Sequence, residues 1–189
     1  MLPGIIILIV ILVIIALVVI GVGVGYYNSI ISIRNRVENA WHQIDVQLRK
    51  RYDLIPNLVE TVKGYAAHEK ETLQKVIEAR NTAINAGTVK EQSNAENQIT
   101  GTLKSLFALS ERYPDLKADQ HFSRLMEQLN GIESNIAYAR QFYNDTVMKF
   151  NTRIETFPGN IFARIFNFKN RDYFEIEEES ARGPVKVEF

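Results

Sequence analysis

Residues 122–157, FSRLMEQLNGIESNIAYARQFYNDTVMKFNTRIETF, decide the fold class. The apolar positions Phe122, Leu125, Leu129, Ile132, Ile136, Ala139, Tyr143, Val147, Phe150, Ile154 and Phe157 step by 3, 4, 3, 4, 3, 4, 4, 3, 4 and 3. This is a near-heptad seam sustained over roughly 54 Å of helix. A helix with one apolar stripe must bury it on another helix. Pro158-Gly159 marks its end, and Asp119 is well placed to cap its start.

Working upstream, a second segment from about residue 89 to 113 has Ile99, Leu103, Leu106 and Phe107 on one face. Tyr113-Pro114-Asp115-Leu116 stops it, because proline restricts the residue before it. A still earlier stripe runs through Ile33, Val37, Trp41, Ile44, Leu48, Tyr52, Ile55, Val59, Val62 and Ala66, resumes at Leu73, Val76 and Ile77, and ends near Asn85-Ala86-Gly87. Pro56 falls inside this stripe without shifting its phase. It removes the donor to the Tyr52 carbonyl and is expected to kink the helix, and whether it splits the helix decides the helix count. The expected fold is all-α: an N-terminal transmembrane helix followed by an elongated antiparallel bundle of three to four long helices.

The transmembrane helix is read from the other end of the chain. No Asp, Glu, Lys or Arg precedes Arg34, and residues 5–20 are unbroken Ile, Leu, Val and Ala. Residues 4–27 amount to roughly 36 Å of helix against about 30 Å of hydrocarbon. A secretory signal would carry a basic start and a shorter apolar run. A lipoprotein signal needs a cysteine, and a prepilin leader would place a glutamate where Ile9 stands, so a retained anchor is expected. Tyr26 and Tyr27 sit at the level of an aromatic belt. Arg34 and Arg36 are the cations nearest the bilayer, and they favour a short N-terminus outside and the bundle in the cytoplasm. Arg49-Lys50-Arg51 lies too far along the helix to touch lipid and reads as a solvated face or as ion pairs with a neighbouring helix.

The domain organisation that follows is an anchor at 1–27, a helical bundle at 28–158, an aromatic segment at 159–174 and an acidic tail at 175–189. The tail has five glutamates against Arg182 and Lys186 and reads as extended or mobile. The aromatic segment is too apolar to be left free. It is expected to pack on the bundle end, on a neighbouring subunit or at a membrane surface.

Composition narrows the function. Across 189 residues, 22 Lys and Arg balance 22 Asp and Glu, which gives nucleic acid no electrostatic footing. The absence of cysteine removes disulfides, thiolate zinc sites and thiol nucleophiles. His68-Glu69 begins a zincin helix, but Thr72 stands where the second histidine belongs, and His42 and His121 are isolated. No metal, cofactor or catalytic residue is expected. Polar residues near the seams (Asp45, Asn57, Arg80, Asn81, Glu133, Arg140, Asn144 and Asn151) read as buried pairs that fix helix register rather than as a ligand site. Gly21 and Gly25 form a small-xxx-small pair of the kind that lets membrane helices approach closely. With Phe162, Phe166 and Phe168 they are the residues expected to carry self-association.

Three blocks resemble the LemA family of bacterial membrane proteins. The first runs from Arg34-Asn35-Arg36-Val37 through Ala40-Trp41, Ile44-Asp45-Val46-Gln47-Leu48 and Arg51-Tyr52-Asp53-Leu54-Ile55-Pro56-Asn57-Leu58-Val59 to Val62-Lys63-Gly64-Tyr65-Ala66 and His68-Glu69. The second is Tyr113-Pro114-Asp115-Leu116-Lys117-Ala118 with Phe122, Leu125 and Leu129. The third is Ile136-Ala137, Ala139-Arg140, Phe142-Tyr143-Asn144, Asn151, Ile154-Glu155 and Phe157-Pro158. The resemblance covers roughly residues 26–174. It implies an anchored, cytoplasmic helical bundle with no known catalytic activity. It also implies a link to membrane stress or quality control, since such proteins are sometimes encoded near a membrane zinc protease. The function expected is a non-enzymatic scaffold of the bacterial inner membrane. It would form a homo-oligomer in the lipid bilayer and organise or remodel a membrane patch. The alternative is an adaptor for a membrane protease or stress-response protein.

Overall fold

The structure is a computed structural model that describes residues 2–175. The acidic tail expected at 175–189 therefore lies outside the described residues from 176 onward. Among the described residues there are six α-helices and no strand: α1 (Leu2–Tyr65), α2 (Lys70–Ile84), α3 (Val89–Ser110), α4 (Pro114–Ala118), α5 (Gln120–Glu155) and α6 (Gly159–Ile165). The all-α expectation holds, with four long helices. The chain divides into two compact units, and α1 and α5 supply residues to both.

Unit 2 comprises residues 42–141 and 172–189, of which 172–175 are described at the C-terminal end. Its core is the seams read from the sequence: Ile44, Leu48, Tyr52, Ile55 and Val62 from α1, Leu73 and Val76 from α2, Ile99, Leu103 and Leu106 from α3, and Phe122, Leu125, Leu129 and Ile136 from α5. The α1 helix continues through Pro56, so the proline does not set the helix count. The carbonyl that Pro56 leaves without its usual i+4 donor is Tyr52 O, and Arg80 Nε of α2 donates to it at 2.6 Å. The first segment is nonetheless two helices, which corrects the single continuous stripe. Its break falls at residues 66–69, where the Glu69 carboxylate accepts from Arg112 at 3.2 Å and from the Tyr113 hydroxyl at 3.4 Å. Beside it the Tyr65 hydroxyl donates to Asp119 at 2.9 Å.

The helix starts follow capping chemistry. Thr88 and Glu91 form a reciprocal capping box on α3. Pro114 occupies the first turn of α4, where its missing N–H costs nothing. Asp119 accepts from the Phe122 backbone N–H at 2.7 Å and caps α5, as its position in the sequence indicates. That bond, followed by the one from Tyr65, holds its carboxyl below the ordinary aspartate range.

Unit 1 comprises residues 1–41 and 142–171. Ile30, Val37 and Ala40 of α1 pack with Tyr143, Val147, Phe150 and Ile154 of α5 in its core, and the Trp41 and Tyr143 rings lie 5.5 Å apart. The apolar seam does not reach Phe157. The α5 helix ends at Glu155, helical phase is lost, and Phe157 is 80% exposed. Gly159 is required here, because a Cβ would sit 2.0 Å from the Arg153 carbonyl oxygen. Asn151 binds the backbone of Arg171 from both sides, donating to its carbonyl at 3.0 Å and accepting from its N–H at 2.9 Å.

Candidate functional site

Two constellations stand out, one in each unit. In unit 1 the anchor helix reaches its last apolar turn at Gly23, Val24 and Gly25, and Tyr26 and Tyr27 follow. Helix α6 packs here. Phe162 stacks on Tyr26 with ring centroids 5.9 Å apart, and its edge lies 3.2 Å from where a Gly23 Cβ would be. Phe166 meets Tyr27 at 4.7 Å, Phe168 meets the same ring at 6.1 Å, and the Arg153 guanidinium sits 4.4 Å above the Tyr26 ring. Asn167 turns the chain back to close this collar. It adopts φ 55°, a left-handed conformation that asparagine tolerates better than most residues. The Phe168 N–H then bonds the Ala163 carbonyl at 2.9 Å, the 6→1 bond of a Schellman-type helix end.

The structure thus gathers five of the residues singled out from the sequence, Tyr26, Tyr27, Phe162, Phe166 and Phe168, into one collar. Phe162 and Phe168 are half-buried, while Phe166 keeps half of its surface. Arg34 and Arg36 do not join the collar. Arg34 lies 3.9 Å from Glu38, and Arg36 is exposed. Gly21 and Gly25 are exposed with open space where a side chain would go. At about 100° per residue, each is displaced by roughly 200° from Gly23, so the pair lies on the helix face away from Phe162. The sequence offered no sign that Gly23, and not its neighbours, receives an aromatic ring.

In unit 2 the buried group is ionic. Arg51 is 2% exposed and Glu96 is 1% exposed, and they form a direct ion pair. Arg51 also reaches Glu133 at 2.5 Å. The Tyr52 hydroxyl donates to Glu96, and Gln92 Nε2 donates to both the Tyr52 oxygen at 2.7 Å and Glu96 at 2.9 Å. Burial pushes the Tyr52 pKa up to about 12, partly opposed by the neighbouring Arg51 charge. The hydroxyl stays a donor at neutral pH, and Arg51, Tyr52 and Gln92 all direct a donor at Glu96. The arrangement ties α1, α3 and α5 to one register.

The register role was read from the sequence for a different set of residues. Of those, Glu133 joins the cluster, Arg80 serves the Tyr52 carbonyl, and Asn151 binds the Arg171 backbone. Asn57 and Asn81 are exposed. Arg51 turned inward while Arg49 and Lys50 stayed on the surface, where Arg49 pairs with Asp45 at 2.9 Å. Arg51 lies one residue before Tyr52 of the apolar stripe, which is the signal that places it at the seam. Glu96, between Ala95 and Ile99, carried the same signal.

His42, His68 and His121 are exposed, and among the described residues no group of three or more His, Cys, Asp or Glu gathers as a metal site would require.

Among the described residues one helix is long and apolar enough to cross a membrane, and its apolar window is unburied by the rest of the chain. Comparison with known proteins agrees with a membrane-associated chain. A protein LemA from Metamycoplasma hominis is 28% identical, with 82% of this chain and 71% of that protein covered. Magnetosome protein MamQ 2 from Paramagnetospirillum magneticum is 23% identical over 84% of this chain and 68% of its own length. Magnetosome protein MamQ from Magnetospirillum gryphiswaldense is 22% identical with the same coverage. The names of these relatives specify no reaction. The family model for the LemA family matches residues 40–189, and the chain belongs to that family.

Proposed function

We propose that this protein is a non-enzymatic, single-pass scaffold that self-associates in the plane of a membrane and organises or remodels a membrane patch. The observation that carries the reading is the collar. Stacked rings and a guanidinium fasten the anchor to α5 and α6, and α1 is helical without a break across the end of the apolar run. An anchor that only tethers a working domain needs no such fastening. A scaffold does, because contacts made between anchors must be transmitted to the folded part. Gly21 and Gly25 supply an open face for those contacts. Relatives named as magnetosome proteins take their name from a cell structure rather than a reaction, which supports the same reading.

In this reading residues 1–27 are the anchor, 28–158 the bundle and 159–174 a membrane-proximal segment. The membrane is the bacterial inner membrane, with the bundle on the cytoplasmic side by the bias of Arg34 and Arg36. The test is the mass of the full-length chain in native membrane particles. A discrete multimer is expected, reduced to monomer by Gly21→Ile with Gly25→Ile. A wild-type monomer at micromolar concentration would refute the scaffold.

A second reading, an adaptor for a membrane protease or membrane-stress system, draws on Tyr138, a large side chain that is 73% exposed in unit 2. Crosslinking from position 138 that captures only other copies of this chain would count against it.

A further inference from the structure

The collar leaves half of α6 unexplained. Phe162 and Phe166, four residues apart, face the anchor. Ile161 and Ile165, also four apart, lie on the flank of the helix roughly 100° round from that face and are 47% and 66% exposed. Phe157 is more exposed still, and half of Phe166 remains open. Four large apolar side chains on one short stretch are unusual on a surface that meets only water. The same stretch is one-signed in charge: residues 156–171 contain Arg164, Lys169 and Arg171 and no Asp or Glu.

The level of this stretch along the anchor says what covers it. About 20 helical residues cross the hydrocarbon. Counted from Ile5, the first residue of the apolar run, they end at Val24. Phe162 packs at Gly23 and Tyr26, and Phe166 packs at Tyr27. Helix α6 is therefore held at the boundary between acyl chains and headgroups. Arg171 is paired with Glu38 at 3.4 Å, but Arg164 and Lys169 are exposed, and exposed isoleucines and phenylalanines beside such cations are the composition of an element lying in that boundary, apolar side down and cations toward anionic headgroups.

We propose that Phe157 and residues 159–168 form an interfacial foot. It inserts Phe157, Ile161, Ile165 and Phe166 into the leaflet from which the anchor emerges. This rests on the membrane-anchor reading, and the experiment separates the two. The chain has no cysteine, so single cysteines can carry spin labels without other changes. Four full-length variants are reconstituted in nanodiscs of phosphatidylcholine with a minority of phosphatidylglycerol: Ile14→Cys in the apolar run, Ile161→Cys and Ile165→Cys on the foot, and Asn39→Cys on the exposed face of α1. All four sites are exposed, so the fold tolerates the label.

Collision with oxygen, which concentrates in lipid, is compared with collision with a water-soluble nickel chelate. The expected result is a label at 14 deep in lipid, labels at 161 and 165 shielded from nickel several-fold relative to 39, and a label at 39 open to water. If 14 is deep but 161 and 165 match 39, the foot is refuted while the anchor stands. Nickel access at 14 would overturn both. Spin–spin broadening at 161 and 165 that disappears on dilution with unlabelled chain would assign the face to a second copy and overturn the foot.

Discussion

Replacing Arg80 with alanine tests whether a side chain from α2 repairs the helix that Pro56 interrupts. In an unbroken helix the amide of residue 56 would donate to the Tyr52 carbonyl, and proline has none. Arg80 Nε supplies the donor at 2.6 Å. A hydrogen bond involving a charged group contributes about 1.5–3 kcal/mol. Arg80 is only half-buried, so water replaces part of what the substitution removes, and the expected loss is about 1–2 kcal/mol.

Pro56→Ala restores the amide. Helix-interior proline costs about 3 kcal/mol relative to alanine, but Arg80 already offsets part of that, so a gain of about 1–2 kcal/mol is expected. In the Pro56→Ala background the carbonyl has its own donor, and Arg80→Ala should then cost about 0.5 kcal/mol or less. The coupling between the two sites is therefore about 1 kcal/mol, within the range measured for residues sharing a partner. Urea unfolding of the full-length chain in nanodiscs, followed by far-UV circular dichroism, reads this as a midpoint shift of roughly 0.5 M. Equal cost of Arg80→Ala in both backgrounds would show that the arginine does not serve that carbonyl, and the repair would be refuted.

Arg51→Met should destabilise by about 3–5 kcal/mol, because it leaves the Glu96 charge buried without its partner. Adding Glu96→Leu should recover most of that loss in thermal unfolding. Gly159→Ala should cost about 1–3 kcal/mol, since the added methyl meets the Arg153 carbonyl and the backbone must shift. Little loss in the same melt would mean that the turn relaxes freely. Tyr52 gives a pH signature. Its folded pKa of about 12 lies above the ordinary tyrosine value of 10.0. The neutral form is the one the fold favours. Its contribution is fully present below pH 10 and is lost as pH rises toward 12. The Tyr52→Phe variant should therefore lose less stability than the wild type between those values, and parallel profiles would exclude Tyr52 as the cause.

Most of the fold was legible because long helices repeat their signal. The seam from Phe122 to Ile154 recurs often enough that single exceptions do not hide it. The break at residues 66–69 was illegible for a related reason. Ala66 and Leu73 are seven residues apart, the spacing of two helical turns, so the apolar phase runs across the turn undisturbed. The contacts made at that turn come from Arg112 and Tyr113 on Glu69, more than 40 residues distant in the chain. Local cues did better where the chemistry was local, as at Asp119, and Thr88 with Glu91 could have been read in the same way. Of the collar, the aromatic residues were legible and their partners were not. Periodicity places Phe162 and Phe166 on one face of a short helix, but nothing in it says that Gly23 and the two tyrosines receive them. Ion pairs with a neighbouring helix were one reading of Arg49-Lys50-Arg51, and Arg51 makes them, but its depth and its partner Glu96 were hidden by their charge. Residue type argued for the surface while position beside the stripe argued for the interior, and only the matching of partners from three helices settles such a conflict.

A single apolar helix in a fluid bilayer spins freely about its long axis, and every azimuth is equivalent to the lipid around it. Phe162 lodged against Gly23 removes that freedom. The anchor's azimuth is set relative to α6, and the Gly21 and Gly25 face holds one bearing with respect to that helix. Each chain still turns as a whole about the bilayer normal, but in the proposed scaffold two chains that met through this face would dock with one defined arrangement of their folded parts, and no internal rotation of the anchor would remain to be frozen on pairing.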